Sequence, residues 1–178
     1  VRVPTVNHQF SDPMLLFSWS LILTTIVIFL ELIAADFGLI LPGAFLICFY
    51  LSVSLNWGYG LVFGAMAALT VEIVTARSGT VLPVLLLVVL ASAMWRRYGD
   101  RRYFLTQVLP GTLLGVLYAL YVILTENVSL ASGLMLPPGT MLMLLLGGAV
   151  LGAVVTPLLL FNFDVAAGLI GLDMFRHK

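Results

Sequence analysis

The sequence predicts an all-α integral membrane protein, a single domain over 1–178 folded as a bundle of six transmembrane helices. Three observations carry that expectation. Hydrophobic residues make up 62% of the 178 and charged residues 9%, where a soluble domain has roughly 45–50% and about 25%. Mean hydropathy is +1.16, and so few charges do not cover a water-facing surface. Apolar runs recur along the chain at about the 20 residues that a helix rising 1.5 Å per residue needs to cross a bilayer.

The first expected span is Met14–Ala34, behind a polar segment that contains Pro4, Asp12 and Pro13. No small-x-small cleavage site follows it, so it reads as a retained span and not a signal peptide. The chain opens on Val1, which fits an alternative start codon or a missing N-terminus. "AADFG" leads to a second span, Phe37–Leu55, in which Pro42 and Gly43 interrupt the apolar sequence. That span begins before Pro42 with a kink, or after it behind a short interfacial segment.

"NWG" then precedes the third span, Gly58–Ala76, and "RSG" the fourth, Thr80–Trp95, with Pro83 expected in its first turn. "RRYGDRR" leads to the fifth span, Phe104–Thr125. The longest connection, "ENVSLASGLMLPPG", precedes the sixth, Thr140–Phe163. The tail "NFDVAAGLIGLDMFRHK" is expected to continue as a short segment along the membrane surface.

Charge fixes the orientation. Arg96, Arg97, Arg101 and Arg102 crowd the fourth connection, and short cytoplasmic loops collect Lys and Arg. With an even number of spans both termini are then cytoplasmic, and Arg2, Arg176 and Lys178 join the same side. Only Arg77 of the eight basic residues falls outside, while Asp36 and Glu126 lie in outer loops. Trp57, Trp95, Tyr98 and Tyr103 sit beside span ends, where interfacial aromatics belong.

Several function classes lose support. Net charge is zero and no groove-sized basic patch exists, which argues against nucleic acid. Cys48 is the only cysteine, so no internal disulfide forms, and its apolar setting suits packing. His8 and His177 lie near opposite termini without an acid cluster, so no metal or cofactor site is expected. Neither histidine lies in a span, and Ser52, Ser54, Thr70, Thr75 and Ser92 have no base beside them in sequence. No catalytic residue is assigned, and hydroxyls in spans ordinarily bond back to the preceding turn.

The candidate sites are small residues and acids. Gly60, Gly64, Ala68 and Glu72 recur every four residues, one narrow stripe on a helix. Gly111 and Gly115 repeat the device in the fifth span, Gly148 and Gly152 in the sixth. Such stripes let helix backbones approach closely, either within the bundle or against a partner. Glu31 and Glu72 are the two carboxylates inside the apolar runs, both in the outer third. An acid costs on the order of 3 kcal/mol at the bilayer centre, so it faces protein or water.

Glu72 has three readings. It is an interfacial acid reaching headgroup water, a polar clasp with Arg77 or another helix, or a proton- or substrate-binding group. Glu31, Glu72 and Arg77 form the candidate clasp. The arginine cluster serves as topology signal and anionic-lipid contact, with docking of a cytoplasmic protein as the alternative.

The segment "LPGAFLICFYLSVSLNWGYGLVFGAMAALTVEIVTARSG" resembles the bacterial rod shape-determining MreD family. Pro42, Gly60, Gly64, Glu72 and Gly79 stand where that family has a proline-led second span, a Gly-x-x-x-Gly third span, an acid and a glycine turn. Arg96–Arg102 resemble its basic loop. The chain departs from the pattern at Ala68, where the family usually has aspartate; Glu72 restores an acid one turn later on the same face. The resemblance covers roughly residues 40–105.

It implies a non-enzymatic subunit of the elongation machinery in the bacterial cytoplasmic membrane. The implied partners are an MreC-like bitopic protein and, through it, MreB filaments, a RodA-type glycosyltransferase and its transpeptidase. The family is similar in fold to the six-helix substrate-binding subunits of energy-coupling-factor vitamin transporters, which supplies the rival expectation of a small-molecule uptake component. The small, apolar last outer loop favours the scaffold.

Overall fold

The computed structural model describes residues 13–39, 41–75, 81–99, 104–129, 136–170 and 172. Those residues form six α-helices, a short 3-10 turn at Phe104–Gln107, and no strand. The helices are α1 (Pro13–Asp36), α2 (Gly43–Ser54), α3 (Trp57–Thr75), α4 (Val81–Tyr98), α5 (Val108–Ser129) and α6 (Pro138–Leu169). Proline falls in the first turn of α1, α4, α5 and α6, where its missing N–H breaks no intrahelical bond.

Within α1, α3, α5 and α6 lie four segments long and apolar enough to cross a membrane: Pro13–Asp36, Trp57–Thr75, Val108–Thr125 and Pro138–Leu169. The outer surface is correspondingly apolar, with Phe29, Ile73, Val62 and Met143 all largely exposed. Polar side chains turn inward instead: Glu31, Glu72, Thr24 and Thr156 are buried. A surface of that kind suits lipid and not water, which marks a helical membrane protein.

The bundle is organised around α2. All twelve of its residues are buried, and Phe45, Leu46, Ile47, Phe49 and Leu51 lead the core. At 1.5 Å per residue it is about 18 Å long, well short of the roughly 30 Å hydrocarbon layer. It packs against α1, α3 and α4, while α5 and α6 pair mainly with each other. The hairpin of α5 and α6 meets the other four helices with fewer close backbone approaches, through α5 against α4 and α2 and through Phe163 of α6 against Tyr50.

Of the two starts left open for the second span the later one is found, and other helix ends shift by a few residues, α5 running over Val108–Ser129 and α4 ending at Tyr98. The second helix starts after Pro42, because α1 ends in a left-handed cap at Gly38 (φ +70°). There Leu39 N–H donates to Ala34 O at 2.8 Å and Gly38 N–H to Ala35 O at 2.9 Å, satisfying carbonyls that the finished helix leaves open. The sixth helix runs on to Leu169, so residues 162–169 of the expected surface segment are its last turns, while 173–178 lie outside the described residues. Asn162 does not break the helix, because its Nδ2 donates to Leu158 O at 2.8 Å, one turn back. Asp164 therefore lies inside α6, and Glu126, expected in an outer loop, lies inside α5.

Candidate functional site

The start of α2 poses the first chemical problem. A helix that begins inside a bundle leaves its first N–H groups without intrahelical acceptors, and in lipid no water replaces them. Pro42, before the first turn, provides no side-chain cap. Glu31, from α1, fills the gap: its Oε2 accepts the Ala44 N–H at 2.9 Å. Only a glycine fits between them, since a Cβ on Gly43 would lie 2.8 Å from Val27 Cγ1 as well as against the carboxylate.

The second carboxylate oxygen reaches across to α5. Tyr118 donates its hydroxyl to Glu31 Oε1 at 2.9 Å. One turn further along α5, Tyr121 donates to Glu72 Oε1 on α3. Residues three apart share a helix face, so the two tyrosines present two donors to two acids. Phe45 of α2 packs edge-on to Tyr118 at 5.3 Å and tilted to Tyr121 at 6.2 Å, between ring centroids. Both tyrosines and both acids are buried.

These four side chains line one small cavity with Ala44, Phe45, Ala68, Val71, Thr75 and Val81. Its volume is ≈ 10 Å³, about the room one water needs. Glu31 and Glu72 thus share a site, near the end of the bundle where α1, α3 and α5 finish. The favoured partner for an acid here is a helix N-terminus or a hydroxyl, and Glu31 has both. Chemically the arrangement ties α1, α2, α3 and α5 together.

The small-residue stripes lie inside the bundle. Gly60, Gly64, Ala68 and Glu72 are all on the buried face of α3. A Cβ on Gly64 would stand 2.6 Å from Cys48 Cβ, and one on Gly60 would meet Ser52 and the Cys48 carbonyl. The helix this stripe receives is α2. Gly111 and Gly115 face Gly152 and Gly148 in the same manner, so the stripes of α5 and α6 pack on each other. A Cβ on Gly148 would lie 2.7 Å from the Gly115 carbonyl oxygen, and backbones this close leave no room for any side chain.

Arg77, Arg101 and Arg102 lie outside the described residues. Arg96 and Arg97 occupy the last turn of α4, where cations oppose the negative end of the helix dipole. Thr70, Thr75 and Ser92 bond back to Met66, Val71 and Val89 carbonyls at 2.6–2.7 Å. Cys48 is fully buried. No cluster of three metal-ligating side chains occurs among the described residues.

Sequence reasoning overlooked Tyr118, Tyr121 and Gly43. A signal for the tyrosines exists, because a hydroxyl in mid-span needs a partner in lipid and two at i, i+3 need partners on one side. A second polar group, at the opposite end, sets Tyr50 of α2 beside Trp19 and Ser54, with Asp164 of α6 near enough to act on it electrostatically. Phe163 packs edge-on to Tyr50 at 5.5 Å. The chain matches no family model, no curated protein and no solved structure.

Proposed function

We propose that this chain is a non-enzymatic membrane scaffold of the bacterial cell-elongation machinery, of the MreD type. In this reading it crosses the cytoplasmic membrane six times with both termini inside, α2 being a short central crossing. Arg96 and Arg97 close α4 at the end of the bundle where α1 and α5 begin, the side that the positive-inside rule makes cytoplasmic. The chain holds the membrane helix of an MreC-like bitopic protein and so couples MreB filaments to a RodA-type glycosyltransferase and its transpeptidase. Membrane lipids cover the rest of its surface.

One observation carries the scaffold reading. Glu31 and Glu72, where transport or proton chemistry would sit, are occupied by tyrosines of the same chain beside a cavity of ≈ 10 Å³. Small-molecule sites are typically about 300–1,000 Å³. A groove of ≈ 220 Å³ between Gly38, Leu39 and α6 lies below that range and has no charged lining residue. The rival reading, a vitamin-type uptake subunit, gains nothing from either space.

The test is co-purification with a single-span partner that carries a periplasmic domain, scored together with rod shape. Gly64→Leu drives a side chain into Cys48 and is expected to abolish both. Glu72→Gln keeps an acceptor for Tyr121 and is expected to preserve both. Normal assembly and normal shape with Gly64→Leu would remove the proposal. Loss of activity with normal assembly for Glu72→Gln would point to ligand or proton chemistry instead.

A further inference from the structure

The helices divide unevenly. Helices α1 to α4 interlock around the buried α2, and α5 and α6 interlock through Gly111, Gly115, Gly148 and Gly152. A glycine crossing of this kind locks two backbones together, so the α5–α6 hairpin is stiff as a unit. Its seam with the other four helices has fewer close backbone approaches. At one end of that seam stand the bonds from Tyr118 to Glu31 and from Tyr121 to Glu72. The cavity of ≈ 10 Å³ lies directly beside them. At the same end, a groove of ≈ 220 Å³ separates α6 from the residues that follow α1.

We propose that the α5–α6 hairpin is a movable lobe, latched to the α1–α4 lobe by the Tyr118–Glu31 and Tyr121–Glu72 bonds. Packed elements move between discrete arrangements when the contacts between them are few and the contacts within them many. Both conditions hold here. The donors sit on one rigid lobe and the acceptors on the other, so releasing both bonds frees this end of the seam without unpacking either glycine crossing, while Phe163 stays packed on Tyr50 at the other end and serves as the pivot. Opening at this end widens the small cavity toward the groove and brings water to two carboxylates. Glu31 keeps its bond to Ala44 N–H throughout, because donor and acceptor belong to the same lobe. The inference does not depend on the scaffold reading, since it concerns only how this chain moves.

The experiment uses the full chain in lipid nanodiscs with Cys48→Ala, which retains the Cβ that Gly64 touches. Spin labels on exposed sites report three distances by pulsed dipolar resonance. Ile73 with Met143 spans the seam, Ile73 with Met94 stays within the first lobe, and Leu109 with Met143 stays within the hairpin. Tyr118→Phe with Tyr121→Phe removes both hydroxyls and keeps both rings. The population at longer seam distance is expected to rise on the order of tenfold, as loss of two average interhelical hydrogen bonds implies. The two control distances are expected to hold.

An unchanged seam distance in the double variant overturns the proposal. So does a change in all three distances, because the bonds then serve general stability and not a latch. If the double variant does not fold, the single variants Tyr118→Phe and Tyr121→Phe replace it, each with a smaller seam shift expected. Failure of both to fold also overturns it, since releasing a latch leaves both lobes intact.

Discussion

Tyr118 donates its hydroxyl to one oxygen of Glu31, and the other oxygen of the same carboxylate accepts the Ala44 N–H, each at 2.9 Å. One side chain therefore both caps α2 and bridges α1 to α5. Glu72 accepts from Tyr121 in the same way, and among the described residues no backbone N–H reaches its second oxygen.

That asymmetry ranks two conservative substitutions. Glu31→Gln has one acceptor oxygen for two donors and turns an NH₂ group on whichever is left, so a buried donor loses its partner. The cost is about 1–3 kcal/mol. Glu72→Gln keeps an oxygen for Tyr121 and is expected to cost less than about 1 kcal/mol on the scale of interhelical bonds in membranes. Reversible unfolding in mixed micelles measures both. Equal losses would contradict the assigned bonds.

Neighbouring glycines of α6 are expected to respond in opposite directions to alanine. At Gly148 a methyl meets the Gly115 carbonyl oxygen at 2.7 Å and the Ala119 methyl at 2.9 Å. At Gly147 it meets nothing within 4 Å. Gly148→Ala then destabilises by roughly 1–3 kcal/mol through overpacking. Gly147→Ala is neutral or gains up to about 1 kcal/mol, because alanine is the better helix former. The same unfolding measurement compares the pair.

The i, i+4 spacing of Gly60, Gly64, Ala68 and Glu72 displays a seam in the sequence itself, since helical period alone aligns them. Which helix fills the seam depends on contacts between segments, and α2 is found there through Cys48 and Ser52. Similarly, Glu31 is visible as an acid in an apolar run. Its capping role follows only once α2 begins at Gly43, which Pro42 and the left-handed Gly38 cap decide together. Asp164 escaped notice because the expected sixth span, Thr140–Phe163, ends one residue before it. The helix continues there by satisfying the Asn162 amide from its own preceding turn.

Cys48 offers a readout of packing without any substitution. It is fully buried in the centre of α2 and faces Gly64. A maleimide is expected to leave it unlabelled in the folded protein and to label it fully in denaturing detergent. Fast labelling in the native state would mean that the α2–α3 seam is open.

Glu31 and Glu72 hold helices together inside the bundle, and a double-mutant cycle on Glu72 and Tyr121 measures that directly. Glu72→Ala, Tyr121→Phe and the combination are unfolded under identical conditions, with the coupling taken from the non-additive part. A coupling of about 0.6–1.7 kcal/mol is predicted, the range of hydrogen bonds between membrane helices. Additive effects, with no coupling between the two residues, would contradict the clasp.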